Sequence, residues 1–247
     1  MIERAFEAVL FDLDDTLHDD TRTYREATRA VAATVARERG VDATALCDAY
    51  VEQAETFWAG LDERHLGMDL AALRARMWSG ALATVGIRDA ALAERSAIDY
   101  NRHRTGGLQL FPGVLSLLER LRAAGRRLAL LTNGFAETHR EKIALLRLER
   151  AFDAVLIADE VGMIKPDPRM FLRACEQVGS APHASVMVGD RYDRDISGAA
   201  EAGLATIWVN PAGLGVPAGA PQPDAIVPSF AGVERALGRT LAPTGSR

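Results

Sequence analysis

The 247-residue chain has a formal net charge of −5, with 48% hydrophobic and 26% charged residues, which is ordinary for a globular protein. It shows no basic stripe and no apolar stretch of membrane-spanning length, so we expect neither a nucleic-acid nor a membrane partner. Cys47 and Cys175 are too isolated for a zinc site or a disulfide framework, and Glu3 and Glu7 do not fit a signal peptide, which together predict a cytoplasmic location.

The first predicted element is a buried strand that ends in carboxylates. Residues 8–11, Ala-Val-Leu-Phe, form an unbroken apolar run, typical of a strand covered on both faces of a parallel sheet. Asp12 and Asp14 follow on the same side of the strand end, where crowded anions are costly unless a cation or hydrogen bonds offset them. We interpret the pair as a divalent-metal site beside a reactive carboxylate. The alternative is a solvated acidic turn that caps the next helix.

Residues 21–104 predict a purely helical block. This stretch is rich in Ala, Arg, Glu and Leu and contains no proline, and its apolar residues recur at helical spacing. Gly40 and Gly86 are expected to end two of the helices. The four predicted helices span about 21–39, 43–60, 68–85 and 88–104.

From residue 111 the pattern changes to short apolar runs that alternate with amphipathic helices, as in βα units. The first helix here is expected to start near Pro112 and to end at Gly125. Further helices are predicted at about 137–147, 167–178 and 194–202. Strands are predicted at 127–132, 154–158, 185–189, 205–210 and 225–227.

The helical block interrupts the α/β pattern just after the first strand. We therefore predict an α/β fold with a doubly wound, parallel-sheet (Rossmann-like) core formed by residues 1–17 and 111–247. An all-helical cap domain, residues 18–110, is inserted into this core. Two linkers into one compact insert indicate a lid that is hinged over the strand ends.

Polar residues follow several of the predicted core strands, at the end where open α/β sheets bind ligands. Thr132 ends the second strand and Asn133 follows it, Lys165 follows the third, and Asp190 follows the fourth. Taken singly, Thr132 is explained as a strand end and Lys165 as a solvated loop lysine. Asp193 is expected to be the N-cap of the helix from about residue 194. Together, the carboxylates, hydroxyl and ammonium are suited to binding a phosphoryl group and a metal.

On these residues the chain resembles the haloacid dehalogenase-like (HAD) hydrolase superfamily, in the phosphatase branch with a helical cap after the first strand (subfamily I). The similarity covers nearly the whole chain, and its motifs are specific for the superfamily but not for a substrate. The passage from Thr132 to Ile143 is also similar to members that act on nucleotides or sialic acid phosphates. The four matching motifs are Phe11-Asp12-Leu13-Asp14-Asp15-Thr16, Leu131-Thr132-Asn133-Gly134, Lys165-Pro166, and Gly189-Asp190 through Asp195.

The resemblance implies catalytic and phosphate-binding roles for five residues. Asp12 matches the nucleophile that forms an aspartyl-phosphate. Asp14 matches the general acid that protonates the leaving oxygen and then acts as the base that activates water. Thr132 and Asn133 would bind a phosphoryl oxygen through the hydroxyl and an amide. Lys165 would neutralise charge on the nucleophile and on the phosphoryl group.

The resemblance also implies a magnesium site. Mg²⁺ would be held by Asp12, by the backbone carbonyl of Asp14 and by Asp190, which are all hard oxygen ligands. Asp195 would lie just behind this site and orient either a metal-bound water or Lys165. We expect a small phosphate ester of the nucleotide or sugar phosphate class as substrate, and a monomeric protein.

Other functions are compatible with parts of this pattern. Dehalogenases of the superfamily lack a second aspartate at the position of Asp14, so its presence favours phosphoryl transfer. Phosphomutases keep both aspartates and remain an alternative, although their first motif more often has glycine in place of Asp15. A non-catalytic phosphoacceptor or binding module is the remaining alternative. His18, the histidine nearest to the motifs, is expected to be structural.

Overall fold

The computed structural model describes residues 4–241, and it divides into two compact units. One unit contains the residues up to Asp19 together with those from Gln109 onward, and the other contains Asp20–Leu108. The junctions predicted from the sequence, at residues 17/18 and 110/111, lie close to these boundaries. Within residues 4–241, no helix combines the length and the apolar character that a membrane crossing requires.

The first unit is built on a six-stranded, fully parallel sheet with strand order β3-β2-β1-β4-β5-β6. The order reverses direction at β1, as in a doubly wound fold. Every residue of β1 and β4 is buried, which explains why these strands are continuous apolar runs. The strands are β1 (Ala8–Phe11), β2 (Arg127–Thr132), β3 (Ala154–Ile157), β4 (Ser185–Gly189), β5 (Ala205–Val209) and β6 (Ala225–Val227).

The register of the central strands aligns their carboxyl ends. Phe11 lies opposite Leu130 of β2 on one side and Val188 of β4 on the other. The Asp12 amide still donates to the Val188 carbonyl oxygen at 3.0 Å, which extends the pairing by one residue. The residues that follow β1, β2 and β4 therefore emerge side by side at one edge of the sheet. The helices of this unit are α5 (Val114–Ala123), α6 (Ala136–Leu145), α7 (Ala158–Val161), α8 (Pro168–Val178), α9 (Ser197–Glu201) and α10 (Val233–Leu237).

The second unit consists of four helices that pack on one another in sequence. Asp42, Asp69 and Asp89 each accept hydrogen bonds from backbone amides at the start of α2, α3 and α4, which is the usual role of an N-cap aspartate. In its core, the rings of Tyr50 and Trp78 stack with centroids 4.2 Å apart. The four helices are α1 (Asp20–Arg39), α2 (Ala43–Ala59), α3 (Leu70–Thr84) and α4 (Ala90–Gly106).

The chain after β4 differs from the sequence expectation. A π-helical turn, Tyr192–Ile196, runs directly into α9, so the helix predicted at about 194–202 starts two residues earlier and its first turn is not α-helical. Asp193 lies inside this turn, so its predicted N-cap role is wrong. The Asp193 carboxylate is instead exposed and pairs with the Arg191 guanidinium at 2.9 Å. The wider turn directs Asp195 inward, where its carboxylate accepts the Arg191 amide at 3.0 Å. Sequence periodicity could not show this, because a buried polar contact selects the turn.

Candidate active site

The Asp12 carboxylate is held by a buried lysine at the end of β1. The Lys165 ammonium donates to Asp12 Oδ1 at 2.7 Å, to Asp195 Oδ1 at 2.6 Å and to the Leu131 carbonyl oxygen at 2.8 Å. All three of its protons are therefore used, and Lys165 is only 3% exposed. An ammonium shared by two buried carboxylates fixes the orientation of both.

Asn133 positions the loop that carries Lys165. Its side-chain amide donates to the Lys165 carbonyl oxygen, and its side-chain oxygen accepts from the Lys165 amide, both at 2.8 Å. This reciprocal pair ties the end of β2 to the start of the Lys165-Pro166 segment. Thr132, the last residue of β2, is buried at the same edge. The side chain of Asn133 therefore has a structural role that the sequence did not reveal, so we expect its phosphate contact to come from the backbone amide.

Three carboxylates gather at this edge in a way that suits a divalent cation. Oxygen atoms of Asp12, Asp190 and Asp195 all lie within 4.8 Å of one another. The Thr16 hydroxyl donates to Asp190 Oδ1 at 3.4 Å, and the Trp208 indole donates to the Asp190 carbonyl oxygen at 2.8 Å. Carboxylate oxygens are the ligands that Mg²⁺ and Ca²⁺ prefer. The residues present therefore fit a divalent metal.

The electrostatics of the acidic group agree with this fit. Burial, together with repulsion from Asp195 and Asp14, raises the pKa of Asp12 to about 7 despite the attraction of Lys165. Burial and repulsion from Asp12 and Asp195 likewise raise the pKa of Asp190 well above its usual range. Ionising both side chains at neutral pH is therefore unfavourable in the protein alone. A cation between them would offset that repulsion.

Asp14 has the opposite surroundings. Lys142 donates to both of its carboxylate oxygens, at 2.7 and 2.8 Å, while His18 Nε2 lies 2.7 Å from Oδ1 and His139 Nε2 lies 3.3 Å from Oδ2. Burial alone would raise the pKa of Asp14, but the Lys142 charge and the two histidine contacts outweigh burial and hold this pKa well below its usual range. Asp14 is therefore ionised in this arrangement.

His139 reaches Asp14 because of a glycine. Gly134 has φ of +156°, and a Cβ atom built there would lie 2.0 Å from Cε1 of the His139 ring. The Phe135 carbonyl oxygen lies 3.0 Å from Nδ1, so the ring has an oxygen acceptor at each nitrogen. Donation to both oxygens requires the doubly protonated ring. The Asp14 carboxylate favours this form, whereas burial opposes it and lowers the pKa of His139. The glycine after Asn133 therefore makes room for a ring beneath the loop.

The structure brings six of the seven predicted site residues into contact or close approach, and it places the seventh, Thr132, at the same strand edge. Sequence reasoning missed Lys142 and His139 and gave His18 only a structural role. Two features of the sequence could have pointed to Lys142 and His139. His139 and Lys142 are three residues apart on one face of α6, and the sequence has only two lysines, Lys142 and Lys165, against 27 arginines.

The chain is similar to several known proteins. Glyceraldehyde 3-phosphate phosphatase of Methanopyrus kandleri is 32% identical over 205 residues, which is 82% of this chain and 83% of that protein. N-acylneuraminate-9-phosphatase of Rattus norvegicus is 32% identical over 229 residues, 90% of each chain. The crystal structure of 2-haloacid dehalogenase from Pseudomonas syringae pv. Tomato DC3000 superimposes with a TM-score of 0.63 and 30% identity, covering 95% of this chain and 99% of that one.

A family model for haloacid dehalogenase-like hydrolases matches residues 6–203, and this range contains all seven predicted site residues. The match covers most of the chain, and the two phosphatases are each more than 30% identical over at least four fifths of it. The protein therefore belongs to the haloacid dehalogenase-like hydrolase family.

Proposed function

We propose that the protein is a Mg²⁺-dependent phosphatase that hydrolyses a small phosphate monoester through an aspartyl-phosphate on Asp12. One observation supports this most directly: two carboxylates two residues apart are held by two different ammonium groups at one strand end. Lys165 fixes Asp12 among the acidic residues, and Lys142 fixes Asp14 beside them. A nucleophile and a separate proton-transferring group are what ester hydrolysis at phosphorus requires.

In the first step, a carboxylate oxygen of Asp12 forms a bond to phosphorus while the bond from phosphorus to the ester oxygen breaks. Lys165 holds the attacking carboxylate in place. Thr132 and the Asn133 backbone amide, which lie at the end of β2, would bind phosphoryl oxygens. Asp14 gives its proton to the departing oxygen. A bound phosphoryl dianion favours the protonated form of Asp14, since it adds negative charge beside the carboxyl group.

In the second step, water attacks the phosphorus of the aspartyl-phosphate. Asp14, now ionised, takes a proton from that water, and the bond from phosphorus to the Asp12 oxygen breaks. Inorganic phosphate leaves and the Asp12 carboxylate is restored. The contacts that hold Asp14 ionised favour its role as the base in this step.

Asp12, Asp190 and the backbone carbonyl of Asp14 would hold Mg²⁺, with Asp195 behind them in contact with Lys165. A bound Mg²⁺ supplies positive charge that screens the repulsion between the phosphoryl group and these carboxylates. Lys165 serves Asp12 and Asp195 at once, so it cannot neutralise the acidic residues alone.

The family relationship leaves two other reactions to weigh. Dehalogenation proceeds through an ester that needs no acid at the leaving group, so an elaborately held Asp14 favours a phosphatase. A phosphomutase would use the same residues, and it is the second candidate. The named relatives act on glyceraldehyde 3-phosphate and on an N-acylneuraminate 9-phosphate, which supports a small phosphorylated metabolite of the sugar phosphate or nucleotide class as substrate.

Turnover of a panel of phosphorylated metabolites, with product identification, tests this proposal. We expect stoichiometric release of inorganic phosphate over many turnovers, with a strong preference for one substrate over aryl phosphates. Mass spectrometry of acid-quenched enzyme should show the phosphoryl group on the peptide containing Asp12. Isomerised sugar phosphate with little free phosphate would indicate the mutase instead. A single phosphorylation without turnover would indicate a phosphoacceptor module.

A further inference from the structure

Both lysines of this chain are buried at the candidate active site. The sequence contains only Lys142 and Lys165 among its 29 basic Lys and Arg residues, and they are 2% and 3% exposed. Each contacts one of the two motif aspartates, Lys165 at Asp12 and Lys142 at Asp14. Solvent-facing basic positions use arginine throughout the described residues. A sequence that uses arginine almost everywhere else has a compact ammonium at these two positions, where a planar guanidinium is a poor substitute.

Lys142 holds the Asp14 carboxylate through both of its oxygens. Its Nζ lies 2.7 Å from Oδ1 and 2.8 Å from Oδ2, so the ammonium sits on the axis of the carboxylate and opposes its rotation. Lys142 is on α6, which follows β2, whereas Asp14 follows β1. The contact therefore ties the position of Asp14 to a second element of the core.

Two histidines complete the arrangement. A carboxylate offers about four lone-pair positions in its plane. Lys142 uses one on each oxygen, His18 occupies the second on Oδ1 at 2.7 Å, and His139 approaches the second on Oδ2 at 3.3 Å. The His139 contact is the longest of the four, so Oδ2 is the oxygen more readily released to a substrate or a water. These contacts define both the plane and the direction of the Asp14 side chain.

We propose that Lys142 is a positioning residue that aligns Asp14 for proton transfer. The proposal rests on the phosphatase function proposed above and names a residue outside its four motifs. Lys142 itself does not touch the phosphoryl group; it acts through Asp14. When Lys142 is lost, the carboxylate rotates away from the line between Asp12 and the leaving oxygen, and the transfer of its proton to an alkoxide slows.

Kinetics of Lys142→Met test this role. We expect the rate of the first turnover with alkyl phosphates to fall on the order of 100-fold, and that with an aryl phosphate to fall less than about 10-fold, because an aryl leaving group hardly needs a proton. KM should change less than about 3-fold, since ground-state binding is retained. Arg140→Met is the matched control, because it removes a positive charge from the same helix at an exposed pair with Glu160. That variant should match the wild type on both substrates.

A double-mutant cycle separates positioning from general structural damage. In an Asp14→Asn background, Lys142→Met should cause less than about a 2-fold further loss in the first turnover, because the group it positions is already disabled. Equal losses on alkyl and aryl phosphates, multiplicative losses in the cycle, or a faster first turnover in Lys142→Met would each overturn the proposal. An inactive wild-type enzyme would instead contradict the proposed phosphatase function.

Lysine-selective ¹⁵N labelling gives a readout that does not depend on turnover. Only two side-chain ammonium signals exist in this sequence, and burial should slow the exchange of both. Asp14→Asn should shift or broaden one signal and leave the other unchanged, and Lys142→Gln should remove the sensitive one. If neither ammonium signal shifts or broadens in Asp14→Asn, the proposal is wrong, and this result holds even if Lys142→Met fails to fold.

Discussion

Asp12 and Asp14 are only two positions apart, but their surroundings have opposite charge: Asp12 lies among carboxylates, and Asp14 lies among basic side chains. Around Asp12, one ammonium serves a group of carboxylates, and burial and repulsion raise the pKa of Asp12. Around Asp14, one ammonium and two imidazoles surround a single carboxylate and lower its pKa. The difference teaches that residue type does not determine the role. In the proposed mechanism, the neighbours that the fold supplies suit Asp12 to a metal and Asp14 to proton transfer.

The largest effect should come from Asp12→Asn, which replaces the proposed nucleophilic carboxylate in the acidic group by a neutral amide. We expect turnover to fall by at least about 10⁴-fold, because an amide does not attack phosphorus. Folding should be retained or improved, since one of several repelling carboxylates is gone. Phosphate release and thermal unfolding measure the two outcomes. Near-wild-type turnover in protein free of contaminating phosphatase would rule out Asp12 as the nucleophile.

Removal of the metal should abolish activity almost as completely. Chelation leaves the acidic group around Asp12 and Asp190 unscreened, so a phosphoryl dianion meets strong repulsion. Mg²⁺ should restore turnover, whereas Ca²⁺ should restore little because its looser coordination spoils the in-line geometry. The assay is phosphate release after exhaustive chelation, with and without each ion. Full activity in the chelated enzyme would point to a metal-free reaction such as dehalogenation.

Asp14→Asn tests the role of the carboxylate that lies among basic side chains. We expect the first turnover with alkyl phosphates to slow by about 10²–10⁴-fold, the usual contribution of general acid catalysis, and that with aryl phosphates to slow much less. Rapid-quench measurement gives the rate of the first turnover for a series of leaving groups, and the slope of the logarithm of this rate against leaving-group pKa should become steeper in the variant. A slope equal to that of the wild type would show that Asp14 does not transfer the proton.

The pH dependence of stability should show that the pKa shifts of Asp12 and Asp14 have opposite directions. Asp12 has its pKa raised from 3.8 to about 7 in the folded protein, so the metal-free protein loses stability as the pH rises through that range. Asp14, whose pKa is lowered, contributes stability above about pH 4 that is lost only in stronger acid. Mg²⁺ should therefore raise Tm more at pH 8 than at pH 5, by on the order of 5 °C. Equal shifts at both pH values would contradict the raised pKa.

The smallest effect should come from Asp193→Ala. The Asp193 carboxylate lies in the last motif but is exposed, and it pairs with Arg191 at 2.9 Å and with Arg194 at 4.0 Å at the surface of the π-helical turn. We expect a change of less than about 0.5 kcal/mol in the free energy of unfolding and less than about 2-fold in kcat. Denaturant unfolding and steady-state kinetics measure these. A loss near 1 kcal/mol would restore the N-cap role that the structure contradicts.

The sheet and the acidic residues were predictable because they are local in sequence. Buried apolar runs that end in polar residues gave the strands and placed Asp12, Lys165 and Asp190 at one edge. The partners of Asp14 were not predictable in the same way. The rotation of α6 about its axis decides whether Lys142 faces the site, and tertiary packing sets that rotation. The inward Asp195 also depends on the π-helical turn, whose widening has no periodic signature in the sequence.

The scarcity of lysine has a practical consequence for amine-directed chemistry. Reagents that acylate or alkylate primary amines find no solvent-facing lysine in residues 4–241, because both lysine side chains are buried. Coupling through lysine to a surface or a dye should therefore proceed slowly in the native protein. Any lysine adduct that does form marks an opening of the site around Asp12 or Asp14. The rate of lysine labelling in this chain therefore reports how often the site opens locally, and it does not report which residues lie on the surface.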